Sequence, residues 1–183
     1  LVARLADRRI LFVGESHDRY EDHLNQLAVL RGLQAGGGDL AIGMEMFRQP
    51  FQPVLDAYIA QEINEQEMLK GTEYFDRWRF DYRLYRPILR FAREQGIPVI
   101  ALNLDRDITT KAGEAGLEGL DEGQRAQVPM DMDQDDPAYR ERIKRAFDSH
   151  PKEGGKHCEK CLVVQRRSDE GTADRAATYL KEH

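Results

Sequence analysis

Two cysteines in 183 residues, Cys158 and Cys161, are too few for a disulfide scaffold and leave the redox compartment open. Long apolar runs are missing too: none approaches the roughly 18–20 residues of a membrane span. Basic charge is not in excess. Lys and Arg number 27 against 33 Asp and Glu, a net charge of -6, which argues against a general nucleic-acid partner. A starting methionine is also lacking. The chain begins at Leu1, so an upstream start is expected, with room for a signal or lipid-anchor segment that would attach the protein to a membrane. What is present, 40% apolar and 33% charged residues, is the balance of a globular protein of about one domain, so a single α/β domain is expected over 1–183.

The most informative stretch is Arg9–Asp18. Ile10, Leu11, Phe12 and Val13 form a short apolar run that stops at Gly14, the pattern of a strand buried on both faces in a parallel sheet. Glu15 and His17 come directly after the glycine, and a helical pattern over Asp18–Gln34 follows, with Leu24, Leu27, Leu30 and Leu33 as its apolar side and Gly36–Gly38 as its end. Asp39–Phe47 reads as a second strand, carrying Glu45 near its end. Strand, helix and strand in this order make a βαβ unit. Parallel neighbours lie roughly 4.8 Å apart, which would bring Glu45 towards Glu15 and His17. Ligands in open α/β sheets bind at the carboxyl ends of strands, where polar side chains leave the core.

Further on, Gln49–Lys70 reads as helical, entered through Pro50 and Pro53. Asp76–Gln95 gives a long helical pattern interrupted or restarted at Pro87. Trp78, Tyr82, Tyr85, Leu89 and Ala92 share one face of it, and Arg79, Arg83, Arg86, Arg90 and Arg93 fall opposite. Ile97–Leu104 is the third strand. The expected fold class is therefore α/β, a mostly parallel sheet with helices on both faces. Beyond Asp105 the pattern weakens: a turn at Leu117–Leu120, an acidic loop at Val128–Pro137, a helix over Tyr139–His150, a flexible loop over 151–157 and a last helix from His157 to Leu180. No fourth strand is evident, which is thin for a stable sheet and suggests that the C-terminal part of the fold lies beyond His183.

Three groups of residues carry candidate chemistry. Glu15, His17 and Glu45 suit a divalent metal such as zinc or manganese, or acid–base work in a metal-dependent hydrolase. Their plainer reading is a turn in which Glu15 caps the next helix and His17 is solvated. The His157–Cys161 stretch, HCEKC, invites a zinc reading with His150 as fourth ligand. Structural zinc needs four defined ligands, however, and both cysteines fall on the apolar side of the last helix, so core cysteines are the better reading. Tyr82 and Tyr85, one turn apart, could offer a phenol to ferric haem, and Arg83 and Arg86 could hold its propionates. An aromatic core pair and a solvated arginine face are the plainer alternatives.

Several motifs, in order along the chain, resemble the ChaN-like haem-binding family, which includes iron-regulated bacterial lipoproteins. They are VGESHD at Val13–Asp18, EMF at Glu45–Phe47, YRLYRPILRFAR at Tyr82–Arg93, IPVIALN at Ile97–Asn103, and Gln165, Asp169, Glu170 and Ala173. More distantly, Gly14–His17 is similar to the glycine–x–x–histidine element of erythromycin-esterase-like and Tiki-like hydrolases. The resemblance implies haem as cofactor in bacterial iron acquisition and a homodimer stacking two haems. It further implies tyrosine ligation from Tyr82 or Tyr85, a pocket including Asn103, Gln165 and Asp169, and a periplasmic or outer-membrane-associated location. The family continues past this chain's end with a further strand and a glycine–histidine motif, and the segment around Lys152–Lys160 fits its pattern poorly.

Overall fold

Acidic Glu21 and Asp22 in the first turn of α1 (Tyr20–Ala35) complement the helix dipole, and the helix runs out at Gly36 and Gly37, the latter at φ 78°. In this computed structural model, residues 2–125, 127–128, 136–149 and 159–183 are described. His150, Cys158 and the loop expected over 151–157 lie outside them. The buried side of α1 is set by His23 and Leu27, while Leu24, expected inside, is 41% exposed.

Next come β1 (Ile42–Arg48), α2 (Gln52–Ile59), α3 (Glu65–Gly71), α4 (Tyr74–Arg77), α5 (Tyr82–Gln95) and β2 (Val99–Asn103). The two strands pair in parallel, giving a small sheet in a helix-rich α/β fold. Ile42, Met44 and Met46 of β1 face the core, Gly43 and Glu45 on the other face are exposed, and Phe47, next on that face, is buried. The segment expected to be one helix over Gln49–Lys70 breaks between α2 and α3. Gln61 takes φ 64°, and Asn64 and Glu67 form a reciprocal capping box that starts α3 afresh. Likewise α5 begins only at Tyr82, where Asp81 accepts a hydrogen bond from the Arg83 N–H at 2.9 Å. Its inward side is Tyr82, Tyr85, Ile88, Leu89 and Ala92, with Gly96 closing it at φ 63°.

The expected first strand does not form. Residues 10–13 join no ladder, and Ile10, Phe12 and Val13 are 48%, 84% and 39% exposed. An apolar run becomes a strand only when a neighbouring edge satisfies its N–H and C=O groups and a layer covers it. Among the described residues the strands β1 and β2 pair with each other, and the Val13 carbonyl instead accepts from Gln26 Nε2 at 3.0 Å.

Where composition predicts one domain, contacts gather the chain into two compact units, Leu1–Ala101 and Leu102–His183. The first is built on Phe47, Leu55, Tyr58, Met68, Tyr74, Tyr85, Leu89 and Val99, all essentially inaccessible. The second contains α6 (Arg106–Ala115), α7 (Glu122–Arg125), α8 (Pro137–Ser149) and α9 (Glu159–Glu182), with Ile108, Ala112, Leu120 and Val128 as an apolar cluster. Gly171 of α9 lies against Leu104, where a Cβ would meet Leu104 Cδ1 at 2.5 Å.

Candidate functional site

The Gly14–Asp18 turn is tied to the start of α1. The Ser16 carbonyl accepts from the Arg19 N–H at 2.7 Å, and Asp22 Oδ2 accepts from the Ser16 N–H at 3.0 Å. This turn sends the Glu15 side chain inward, leaving it 8% exposed. Its Oε1 accepts from His17 Nδ1 at 2.6 Å and from the Tyr85 hydroxyl at 3.3 Å. Its Oε2 makes no hydrogen bond and lies 3.7 Å from His23 Nε2.

His23, 2% exposed, is a member of this group that no motif in the sequence marks. Its Nε2 donates to the His17 carbonyl at 3.3 Å, its ring meets Tyr85 edge-on at 4.5 Å, and its Nδ1 has no partner. The signal that could have found it is helical spacing, since position 23 lies one turn before Leu27 on the buried side.

The His17 ring packs at 4.7 Å from both Trp78 and Phe80, and the two rings lie 5.6 Å from each other. Arg79 between them has φ 68°, a left-handed conformation that alternates the flanking side chains onto one target. His17 itself remains 36% exposed. Glu45, on the open face of β1, completes a group: Glu15, His17 and Glu45 each offer one ligand atom, all within 4.8 Å of one another. Chemically, such a group can bind a metal through imidazole and carboxylate, or move a proton.

The other expected site residues are placed differently. Tyr82 and Tyr85, 5% and 1% exposed, belong to the core, and burial pushes both phenols well above their ordinary pKa. Both lie where the plainer reading, an aromatic core pair, puts them, and the Tyr85 hydroxyl is directed to the Glu15 carboxylate. Arg83 pairs with Asp81 at 2.6 Å, and Arg86 and Arg90 both hold Glu65, at 2.8 and 3.0 Å, so Arg83 and Arg86 already have carboxylate partners. Asn103, Gln165 and Asp169 belong to the second unit. There Asn103 Oδ1 accepts from the Ser168 hydroxyl at 3.4 Å, and Asp169 accepts from Gln165 Nε2 at 2.8 Å and from the Tyr139 hydroxyl at 2.7 Å. Cys161 falls within α9, and Cys158 and His150 lie outside the described residues, so the zinc reading has no described set of ligands.

Comparison with known proteins adds three findings. A sequence family described as haem-binding uptake, Tiki superfamily, ChaN, matches residues 1–183. Protein RETICULATA-RELATED 5, chloroplastic, of Arabidopsis thaliana is 25% identical over 129 residues, 67% of this chain, and the chain spans 17% of that protein. The structure titled "Cofacial heme binding to ChaN of Campylobacter jejuni" superposes with a TM-score of 0.68 at 15% identity, covering all of this chain and 69% of that one. At that identity the likeness establishes the fold.

Proposed function

From the premise that the chain belongs to the haem-binding uptake, Tiki superfamily, ChaN family over all its residues, we propose that it binds haem. The observation that carries this reading is the match of the family along residues 1–183. Haem requires a donor for iron and apolar surface for the porphyrin. His17 offers an imidazole already held by a carboxylate and flanked by the Trp78 and Phe80 rings. Haem brings its own redox and ligand chemistry, and the chain's part is to hold and orient it.

We further propose that this binding serves bacterial iron acquisition outside the cytoplasm, with attachment to a membrane through a lipid anchor. The uptake role in the family description supports the first part. A homodimer stacking two haems is the accompanying proposal, supported by the cofacial arrangement named for the Campylobacter structure. Titration of haemin into the purified chain, followed by absorbance and by mass determination in solution, tests both. A saturable Soret band is expected, together with a doubling of mass and a split Soret circular-dichroism signal. A featureless titration sinks haem binding; a monomer with one saturating haem sinks the stacked dimer alone.

The 4.8 Å grouping of Glu15, His17 and Glu45 favours a second reading, a divalent-metal centre such as zinc or manganese in a hydrolase. Metal analysis and a panel of ester and peptide substrates test it. Activity lost in Glu45→Gln supports it, and activity unchanged in both Glu45→Gln and His17→Ala ends it.

A further inference from the structure

The break between α2 and α3 opens a cleft beside the last two turns of α5 that shares no residue with the Glu15, His17 and Glu45 group. It is an open cleft of about 320 Å³, at the small end of small-molecule sites, lined by Tyr58, Gln61, Glu65, Arg90, Arg93 and Glu94. We propose that it binds a small organic monocarboxylate, clamped by the guanidinium groups of Arg90 and Arg93. The two arginines stand three residues apart on α5, a spacing at which helical side chains are neighbours on one face.

Arg93 is a fixed cation without a carboxylate. Its guanidinium carbon lies 4.5 Å from the centre of the Tyr58 ring, and that ring, 1% exposed, is locked in the core. Stacking occupies the face of the guanidinium plane. The Tyr58 hydroxyl, also bonded to Arg93, takes part of the donor edge and leaves the rest of the fork for an oxyanion. Among the described residues no carboxylate pairs with Arg93. Arg90 is half committed: its Nε donates to Glu65 Oε2 at 3.0 Å, while Glu65 Oε1 takes Arg86 at 2.8 Å. One negative charge is thus divided between two cations. Counting Arg86, Arg90 and Arg93 against Glu65 and Glu94, three positive charges face two negative ones, and a monoanion balances them. A dianion such as phosphate is disfavoured by Glu94, an exposed carboxylate with no partner of its own among the described residues. Gln61 holds φ 64° and donates its N–H to the Tyr58 carbonyl at 3.1 Å, a conformation that glycine adopts without strain. What the glutamine adds is a side-chain amide at the cleft, a neutral donor for a carboxylate oxygen.

The test is a nuclear magnetic resonance titration of the full chain that follows the arginine Nε–Hε signals. The probes are benzoate, its uncharged counterpart benzamide, and inorganic phosphate. Saturable shifts of the Arg90 and Arg93 signals are expected with benzoate, and none with benzamide. Phosphate should bind roughly tenfold or more weakly than benzoate, and Glu94→Gln should narrow that gap. Arg93→Gln, shown to be folded by circular dichroism, should bind benzoate roughly tenfold or more weakly than wild type. Arg93→Lys, which keeps the charge and loses the planar fork, should also weaken it. The proposal is overturned if benzoate shifts neither arginine in the wild type, if benzamide binds as well as benzoate, or if Arg93→Gln binds benzoate unchanged. Phosphate binding tighter than benzoate overturns the choice of a monocarboxylate.

Discussion

Gln52 completes the backbone hydrogen bonding of β2 through its side chain: Oε1 accepts from the Ala101 N–H at 2.8 Å, while Nε2 donates to the Val99 carbonyl, also at 2.8 Å. An amide carries one acceptor and a pair of donors, so it can stand where a strand's peptide group would. A two-stranded sheet has little stability by itself, and this side chain satisfies groups that an additional strand would otherwise take. Gln52→Ala leaves both without that partner. The expected loss is about 1–3 kcal/mol of unfolding free energy, measured by urea denaturation. Gln52→Glu, which keeps an acceptor for Ala101 but loses the donor to Val99, is expected to fall between.

Glu65 connects α3 to two arginines of α5. Burial alone would raise its pKa, but hydrogen bonds from Arg86 and Arg90 outweigh that and hold it below the ordinary carboxylate value. A carboxyl depressed in the folded state contributes stability above its unfolded pKa, and that contribution disappears as pH falls through the folded value. Compared across pH, wild type should exceed Glu65→Gln most clearly above about pH 5, and the difference should vanish in acid. A constant difference at every pH would mean that shape, not charge, is what Glu65 supplies.

Five of the seven tyrosines, Tyr58, Tyr74, Tyr82, Tyr85 and Tyr139, have phenols pushed above their ordinary pKa by burial. Because their folded values exceed the unfolded one, the stability they contribute is complete below about pH 10 and drains away as pH rises beyond it. Ultraviolet titration of phenolate should therefore show these groups ionising together with unfolding rather than before it. Tyr82→Phe should leave the haemin spectrum unchanged.

The left-handed residue between Trp78 and Phe80 allows a further prediction. Arg79→Gly places an unstrained residue at φ 68° and should leave the fold intact, whereas Arg79→Val should cost about 1–2 kcal/mol, because a β-branched side chain clashes there. Thermal unfolding of the pair separates them. Equal stability for glycine and valine would mean that the turn does not hold this conformation in solution.

Local patterns were enough for much of this protein. The inward side of α5 follows directly from the spacing of Tyr82, Tyr85, Leu89 and Ala92, because a 3.6-residue period leaves few alternatives. The end of α5 at Gly96 and the strand over Val99–Asn103 are equally local. Motifs in order along the chain also carried the family, as the match over residues 1–183 bears out. Other features depended on distant parts of the chain. Whether Ile10–Val13 pairs as a strand depends on an edge elsewhere, and the pattern of the run itself contains no information about that edge. Glu15 turns inward because Tyr85, 70 residues away, and His23 meet it there. The burial of a carboxylate is not a property of neighbouring residues. It is decided by which surfaces the tertiary fold brings together, since burial and hydrogen bonding arise only from contacts made in space.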